Sequence, residues 1–230
     1  KNSKRHGKGR ETFAGGGFFK GSWKDGKRHG QGKLKEDDGT RYTGGWKNGK
    51  RHGRGDEILP DGTTYRGGWK DGARHGRGTL VTKDKMKYVG QWQDGKTHGQ
   101  GTLTNPKGLR YQGGWKQGKM HGKGKLLLPD GATYQGGFRE GERHGRGTER
   151  KKNGSRYTGQ WKIGKKHGHG RGRLPNGLVY EGEWFEGKAH GKGIVIRPNG
   201  KKEQVVFRYG KPVKSIDEGR QAIDPELDQE

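Results

Sequence analysis

The chain has 230 residues with 51 Lys and Arg against 25 Asp and Glu, a net charge of +26 and no cysteine, which excludes disulfides and thiolate metal sites and permits a reducing compartment. Leu, Ile, Val and Phe together make only 30 residues, the composition of a disordered chain rather than of a domain with a thick aliphatic core. No apolar run approaches the ~18 residues that cross a bilayer as a helix, and no secretory pattern opens the sequence.

Order shows first in the histidines. His6, His29, His52, His75, His98, His121, His144, His167 and His190 follow one another at a spacing of 23 residues, the mark of a repeat architecture. Residues 1–18, with "HGKG" at 6–9, read as a partial leading repeat or cap. Residues 19–193 read as eight full repeats. The first opens with Phe19, Gly21 and Trp23, and the next seven put tyrosine, glycine and tryptophan in the same places, at Tyr42 and Trp46, Tyr65 and Trp69, Tyr88 and Trp92, Tyr111 and Trp115, Tyr134 and Phe138 (the exception), Tyr157 and Trp161, and Tyr180 and Trp184.

The Tyr-x-Gly-x-Trp spacing has period 2, so the two rings and the glycine lie on one face of a strand, with the empty glycine position open to neighbouring rings. Two turn signals punctuate each repeat. Asp25-Gly26, Asn48-Gly49, Asp71-Gly72 and Asp94-Gly95 form one set; Asp38-Gly39, Asp61-Gly62, Asp130-Gly131, Asn153-Gly154, Asn176-Gly177 and Asn199-Gly200 form the other, with Lys85 replacing the glycine in one copy. Both call for positive φ. The second strand of each repeat is the weaker one, read as 78–81 or 193–196. The fold class expected is all-β, an elongated single-layer antiparallel meander of stacked 23-residue hairpins, a solenoid-like rod adding roughly 9 to 10 Å per repeat. Residues 194–210 read as a degenerate terminal cap and 211–230 as an acidic tail, where Asp217, Glu218, Asp224, Glu226, Asp228 and Glu230 stand against Arg220 alone.

The segments "YTGGWKNGKRHGRG" (42–55) and "YEGEWFEGKAHGKG" (180–193) resemble the membrane occupation and recognition nexus (MORN) repeat. The resemblance covers 19–193. It implies a scaffold of the kind found in radial-spoke heads of cilia and in cytoskeletal assemblies, and makes pairing of two chains through the strand at 205–207 an expectation.

Catalysis and cofactors are not expected. Equivalent histidines some 9 to 10 Å apart cannot share an ion whose ligands come within about 2.1 Å, which leaves His167 and His169 as the one close pair. "GQWQDGKT" (90–97) fits the phosphate-loop pattern, yet "GGWKNGKR" (44–51) shows that it is a by-product of the repeat, and no helix follows. The expected role of His29, His52, His75, His98, His121, His144, His167 and His190 is to brace the hairpin loop by hydrogen-bonding backbone beside glycines such as Gly76 and Gly78.

Charge gives the candidate interface. Lys24, Lys47, Lys70, Lys116, Arg139 and Lys162 follow the second aromatic, on the face opposite it by alternation, and Arg54, Arg77, Lys123, Arg146 and Lys192 follow the histidine by two residues. Residues between them, among them Arg28, Arg51, Arg74, Arg143 and Lys166, are counted in the same basic stripe. A solvated face that keeps the sheet soluble accounts for part of this; an extended acidic partner accounts for the rest. The partners expected are proteins of a large assembly, tubulin or axonemal proteins among them, in the cytoplasm or at a cilium or flagellum. Alternatives are an anionic phosphoinositide membrane, the repeat region of a larger enzyme, and nucleic acid, against which the interior spacing of the aromatics argues.

Overall fold

Turns set the architecture. At Asp25-Gly26 both residues have positive φ, 52° and 79°, the type I′ geometry that suits two-residue hairpins. The same pair of signs recurs at Asn48, Asp71, Asp94, Gln117, Glu140, Ile163, Glu186 and Tyr209, each followed by glycine. The other turn spans five residues. In 36–40 the Glu36 N–H donates to the Thr40 carbonyl at 2.8 Å, the Gly39 N–H donates to Glu36, and the Asp38 carboxylate accepts from the Thr40 N–H. Lys85 takes the glycine's place at φ 61°, and there the Thr82 hydroxyl accepts from the Met86 N–H instead.

The computed structural model describes residues 4–215, and the chain divides into two compact units, 1–142 and 143–230. Among the described residues there is no helix. The first unit runs through β1 (Gly7–Thr12), β2 (Phe18–Lys24), β3 (Lys27–Lys35), β4 (Arg41–Lys47), β5 (Lys50–Ile58) and β6 (Thr64–Lys70). It continues with β7 (Ala73–Val81), β8 (Lys87–Gln93), β9 (Lys96–Thr104), β10 (Arg110–Lys116), β11 (Lys119–Leu127) and β12 (Thr133–Arg139). β13 (Glu142–Arg150) begins on the first unit's last residue, and the second unit holds its remainder with β14 (Arg156–Lys162), β15 (Lys165–Arg173), β16 (Val179–Phe185), β17 (Lys188–Ile196), β18 (Lys202–Arg208) and β19 (Lys211–Ser215). Within each unit successive strands pair antiparallel, as the hairpin repeats require.

Three expectations are corrected. The second strand of each repeat is nine residues long and starts directly after the type I′ turn, so the histidines lie in strands (His75 in β7) rather than in loops. Residues 211–215, assigned to the tail, form β19; the tail's acidic residues lie outside the described residues. Val205 and Phe207 have partners on both sides, Gly193 and Ser215 for one, Gly191 and Pro212 for the other. The strand at 205–207 is therefore no free edge, and among the described residues that role passes to β19, where Pro212 discourages further pairing.

A ring takes the place of a core. Tyr65 lies flat across Gly67 of its own strand and Gly78 of the next, which are direct partners in the ladder. A Cβ on Gly67 would come within 2.6 Å of the Tyr65 hydroxyl, and one on Gly78 within 2.6 Å of its Cε2. The hydroxyl reaches past the glycine and donates to the Gly68 carbonyl at 2.9 Å. Gly68 itself sits in a bulge where a Cβ would collide with the His75 carbonyl. Rings then interlock edge to face: Tyr65 meets Trp69 of its own repeat and Trp92 of the next, both with centroids 5.3 Å apart. The same alternation links Phe19 through Phe138 in the first unit and Trp161 through Phe207 in the second. Each such pair contributes about 0.5–1.5 kcal/mol beyond its buried area. All the aromatics named from the sequence are buried except Trp184, which is half-buried.

Candidate functional site

Alternation assigns each strand two faces. In β8, Tyr88, Gly90 and Trp92 build the ring face, and Val89 and Gln91 point the other way. This second, polar face carries shallow grooves. One, of about 620 Å3, is lined by Arg77, Thr79, Val89, Gln91, Gln100 and Thr102 among others. Another, of about 560 Å3 in the second unit, is lined by Arg146, Thr148, Thr158, Gln160 and His169. A third, of about 640 Å3, lies on the first strands and is lined by Lys8, Arg10, Lys20, Ser22, Gln31, Lys33 and Thr43.

The basic residues read from the sequence divide into two populations. Lys24, Lys47, Lys70, Lys116, Arg139 and Lys162 close the first strands beside the type I′ turns, and all are exposed. Arg54, Arg77, Lys123, Arg146 and Lys192 are exposed along the polar face, with Arg77 and Arg146 in its grooves. Among the described residues none of these touches a carboxylate.

Arg28, Arg51, Arg74, Arg143 and Lys166 are different, and their place in the stripe is a correction. They turn onto the ring face and are half-buried. The Arg51 guanidinium sits 5.0 Å from the Tyr42 ring and 5.2 Å from Trp69; Arg74 repeats this over Tyr65 and Trp92, Arg28 over Phe19 and Trp46, and Lys166 over Tyr157 and Trp184. Arg143 lies 4.3 Å from Trp161. Their charge is met from below. Glu57, 5% exposed, takes Arg51 and, at 2.8 Å, Arg74; Glu149 takes Arg143 and Lys166; Glu11 takes Arg5 and Arg28. Burial alone would raise the Glu11 carboxyl, and the hydrogen bonds from Arg5 and Arg28 outweigh it and hold it below the usual range. Burial lowers the Lys166 ammonium, against the pull of Glu149.

These cations precede a histidine by one residue, and the glutamates follow one by five. Leu103 and Leu126 hold the glutamate's position in the copies where Thr97 and Met120 hold the arginine's. That pairing was a readable signal. It is invisible when basic residues are summed without their phase on the ring face.

The histidines reach forward rather than into their own turn. His75 Nδ1 lies 3.6 Å from Asp94, His52 from Asp71 at the same distance, and His121 3.9 Å from Glu140, each acid belonging to the next repeat's type I′ turn. His52 and His190 Nδ1 accept from the N–H of Asp71 and Tyr209. Nδ1 of His29, His75, His98, His121 and His167 is buried and makes no hydrogen bond among the described residues, and His144 is half-buried. Beside each imidazole the backbone is stitched as well: the Gly72 N–H donates to Arg51, Gly95 to Arg74 and Gly187 to Lys166, each at 2.9 Å. The expected bonds beside Gly76 and Gly78 are replaced by these. Among the described residues no three His, Cys, Asp or Glu side chains are placed to hold a metal ion, and no helix is long and apolar enough to cross a membrane.

The MORN repeat as a sequence family matches nine successive segments, 1–18, 19–41, 42–64, 65–86, 88–110, 111–133, 134–156, 157–179 and 180–202. No curated protein matches the chain. Solved structures similar to it include the TCP10 domain of Danio rerio CPAP in complex with a peptide of Danio rerio STIL, at 14% identity, 89% of this chain, 91% of that one and a TM-score of 0.48. The same wild-type domain alone gives 15%, 90%, 98% and 0.44. The SAS-4 (dCPAP) TCP domain of Drosophila melanogaster with a proline-rich motif of Ana2 (dSTIL) gives 11%, 87%, 90% and 0.37. At such identities and TM-scores these likenesses leave the repeats and the polar face to decide function.

Proposed function

The chain belongs to the MORN repeat family, and on that premise we propose that it is a non-catalytic scaffold whose exposed basic rows hold an acidic protein partner in a cytoskeletal assembly, a ciliary or flagellar axoneme being the case to test. Repeats of this family support an interaction role in general. The observation that favours an acidic partner is the division of cations: the inner set is neutralised by Glu11, Glu57 and Glu149, whereas the rows of Lys24 and Arg54 are exposed and, among the described residues, make no ion pair. Charge displayed in that way steers and orients an oppositely charged surface.

Cosedimentation of the full chain with microtubules tests the reading. Binding is expected at low salt, with affinity falling as salt screens it. Lys24→Glu, Lys47→Glu and Lys70→Glu together, each side chain contributing on the order of 0.5 kcal/mol at a solvated interface, should weaken binding roughly tenfold with the circular dichroism unchanged. Indifference to both salt and charge reversal would overturn the tubulin version. Vesicles with and without anionic lipid serve as the comparison: capture by them alone would replace a protein partner with a membrane.

A further inference from the structure

Cations stand abreast on the polar face at Arg150, Arg156 and Arg173 in the second unit, and again in a row whose first strands line a groove. The row runs through the residues that follow each first aromatic and those four after each histidine. Asp56 stands opposite Arg66 and pairs with it at 3.0 Å; Thr79, Val89, Thr102 and Gln112 follow in register. Lys125 stands between Gln112 and Gln135. In the second unit Arg171 is opposite Glu181, 2.9 Å away. Charges in the row are thus isolated or matched.

The first three strands are the departure. Arg10 of β1 is directly opposite Lys20 of β2, and Lys20 directly opposite Lys33 of β3. Three cations lie abreast over roughly 10 Å, an arrangement that destabilises a sheet. Lys8, two residues before Arg10, adds a fourth on the same face, and among the described residues none of the four meets a carboxylate. All four line the 640 Å3 groove, whose remaining polar side chains, Ser22, Gln31 and Thr43, can all donate hydrogen bonds. Arg10 lies 4.8 Å from the Phe18 ring, a contact that brings no negative charge to the four cations; local rules broken in this way mark functional positions, and the missing component here is an anion.

The sequence contains a matching one. Asp224, Glu226, Asp228 and Glu230 alternate with Pro225, Leu227 and Gln229. In an extended segment such carboxylates would fall on one side at about 6.6–6.8 Å, the interval that separates Lys8 from Arg10 along β1. We propose that this groove receives residues 224–230 of a second copy of the chain, carboxylates on cations, joining copies head to tail. The contact pairs two different surfaces, so each copy that joins through its tail alone brings a further open groove. It does not depend on any foreign partner.

Sedimentation velocity on the full chain at low ionic strength tests this. Wild type is expected to form concentration-dependent dimers and longer species, lost at ~1 M salt, where the Debye length is about 3 Å. The groove variant R10E/K20E/K33E and the tail variant D224N/E226Q/D228N/E230Q should each be monomeric alone. Mixed in equal amounts they should give dimers and nothing larger, because one complementary groove and one complementary tail remain. R10Q/K20Q/K33Q, checked by circular dichroism, replaces the reversed groove if that fails to fold. A monomeric wild type, a mixture that stays monomeric, or association that survives in both variants, as pairing through β19 would, overturns the proposal. Microtubule binding by the tail variant reads the acidic-partner proposal separately.

Discussion

At the scale of single residues the tyrosine is the decisive choice. A phenylalanine would supply the same ring over the glycine pair, and Phe19 does so in the first repeat. The hydroxyl adds a hydrogen bond to the backbone three residues on, as in Tyr42 to Gly45 at 3.0 Å and Tyr111 to Gly114 at 2.8 Å. Burial pushes the phenols of Tyr42, Tyr65, Tyr88 and Tyr111 up to about 12, against about 10 in an unfolded chain. The native state therefore keeps protons that the unfolded chain has released between pH 10 and 12, and stability falls through that interval. An alkaline titration followed at the phenolate absorbance and by circular dichroism should show ionisation and unfolding in one step above pH 10. Separate, independent ionisation near pH 10 in a folded chain would contradict the burial.

Within the element, the hairpin's inner face is an electrostatic device as well as a packing one. Removing the Glu57 carboxylate leaves Arg74 half-buried over the rings with no counter-charge among the described residues and Arg51 with Glu36 alone, 3.1 Å away, so Glu57→Leu should cost about 2–3 kcal/mol in urea unfolding, the scale of charge-assisted hydrogen bonds and of a broken partly buried pair. Adding Arg51→Thr and Arg74→Thr should recover most of that, because Leu103 with Thr97 already provides a neutral version of the same layer. The period, the ring face and the turn glycines were legible in the sequence because they depend on local spacing. The inward turn of the arginines was not, since the preference of a guanidinium for a ring and a buried glutamate is decided by phase across two repeats. Nor were the type I′ turns at Gln117, Glu140, Ile163 and Tyr209 legible from their first residue, which lacks the Asn or Asp that usually announces positive φ. The bulge at Gly68 and the strand at 211–215 depend on neighbours and left no local mark. For the candidate site, the row headed by Lys24 and the row of Arg54 were readable by alternation. Lys8, Arg10, Lys20 and Lys33 were not, because their meeting depends on register between strands of different repeats.

For the whole molecule the governing quantity is a net charge of +26. The ion pairs of the described residues leave most of the cations without a carboxylate, so self-repulsion works against the folded state. In dilute solution, raising salt from about 0.01 M to about 0.15 M shortens the Debye length from about 30 Å to about 8 Å. The melting temperature should rise by about 2–4 °C for each kcal/mol of repulsion removed. A fall in melting temperature over the same range would mean that the ion pairs of Glu57 and Glu149 outweigh the repulsion.

The stitch between successive turns also has a direction. The Gly72 amide needs the Arg51 carbonyl and the Gly95 amide needs Arg74, so each type I′ turn is stitched to the repeat before it. A ribosome releases about 5–20 residues per second, one repeat every one to five seconds, whereas a hairpin closes in about 1–10 μs. Each hairpin thus emerges beside a finished template, and the chain can fold in the order in which it is made, like a zip drawn from the amino terminus.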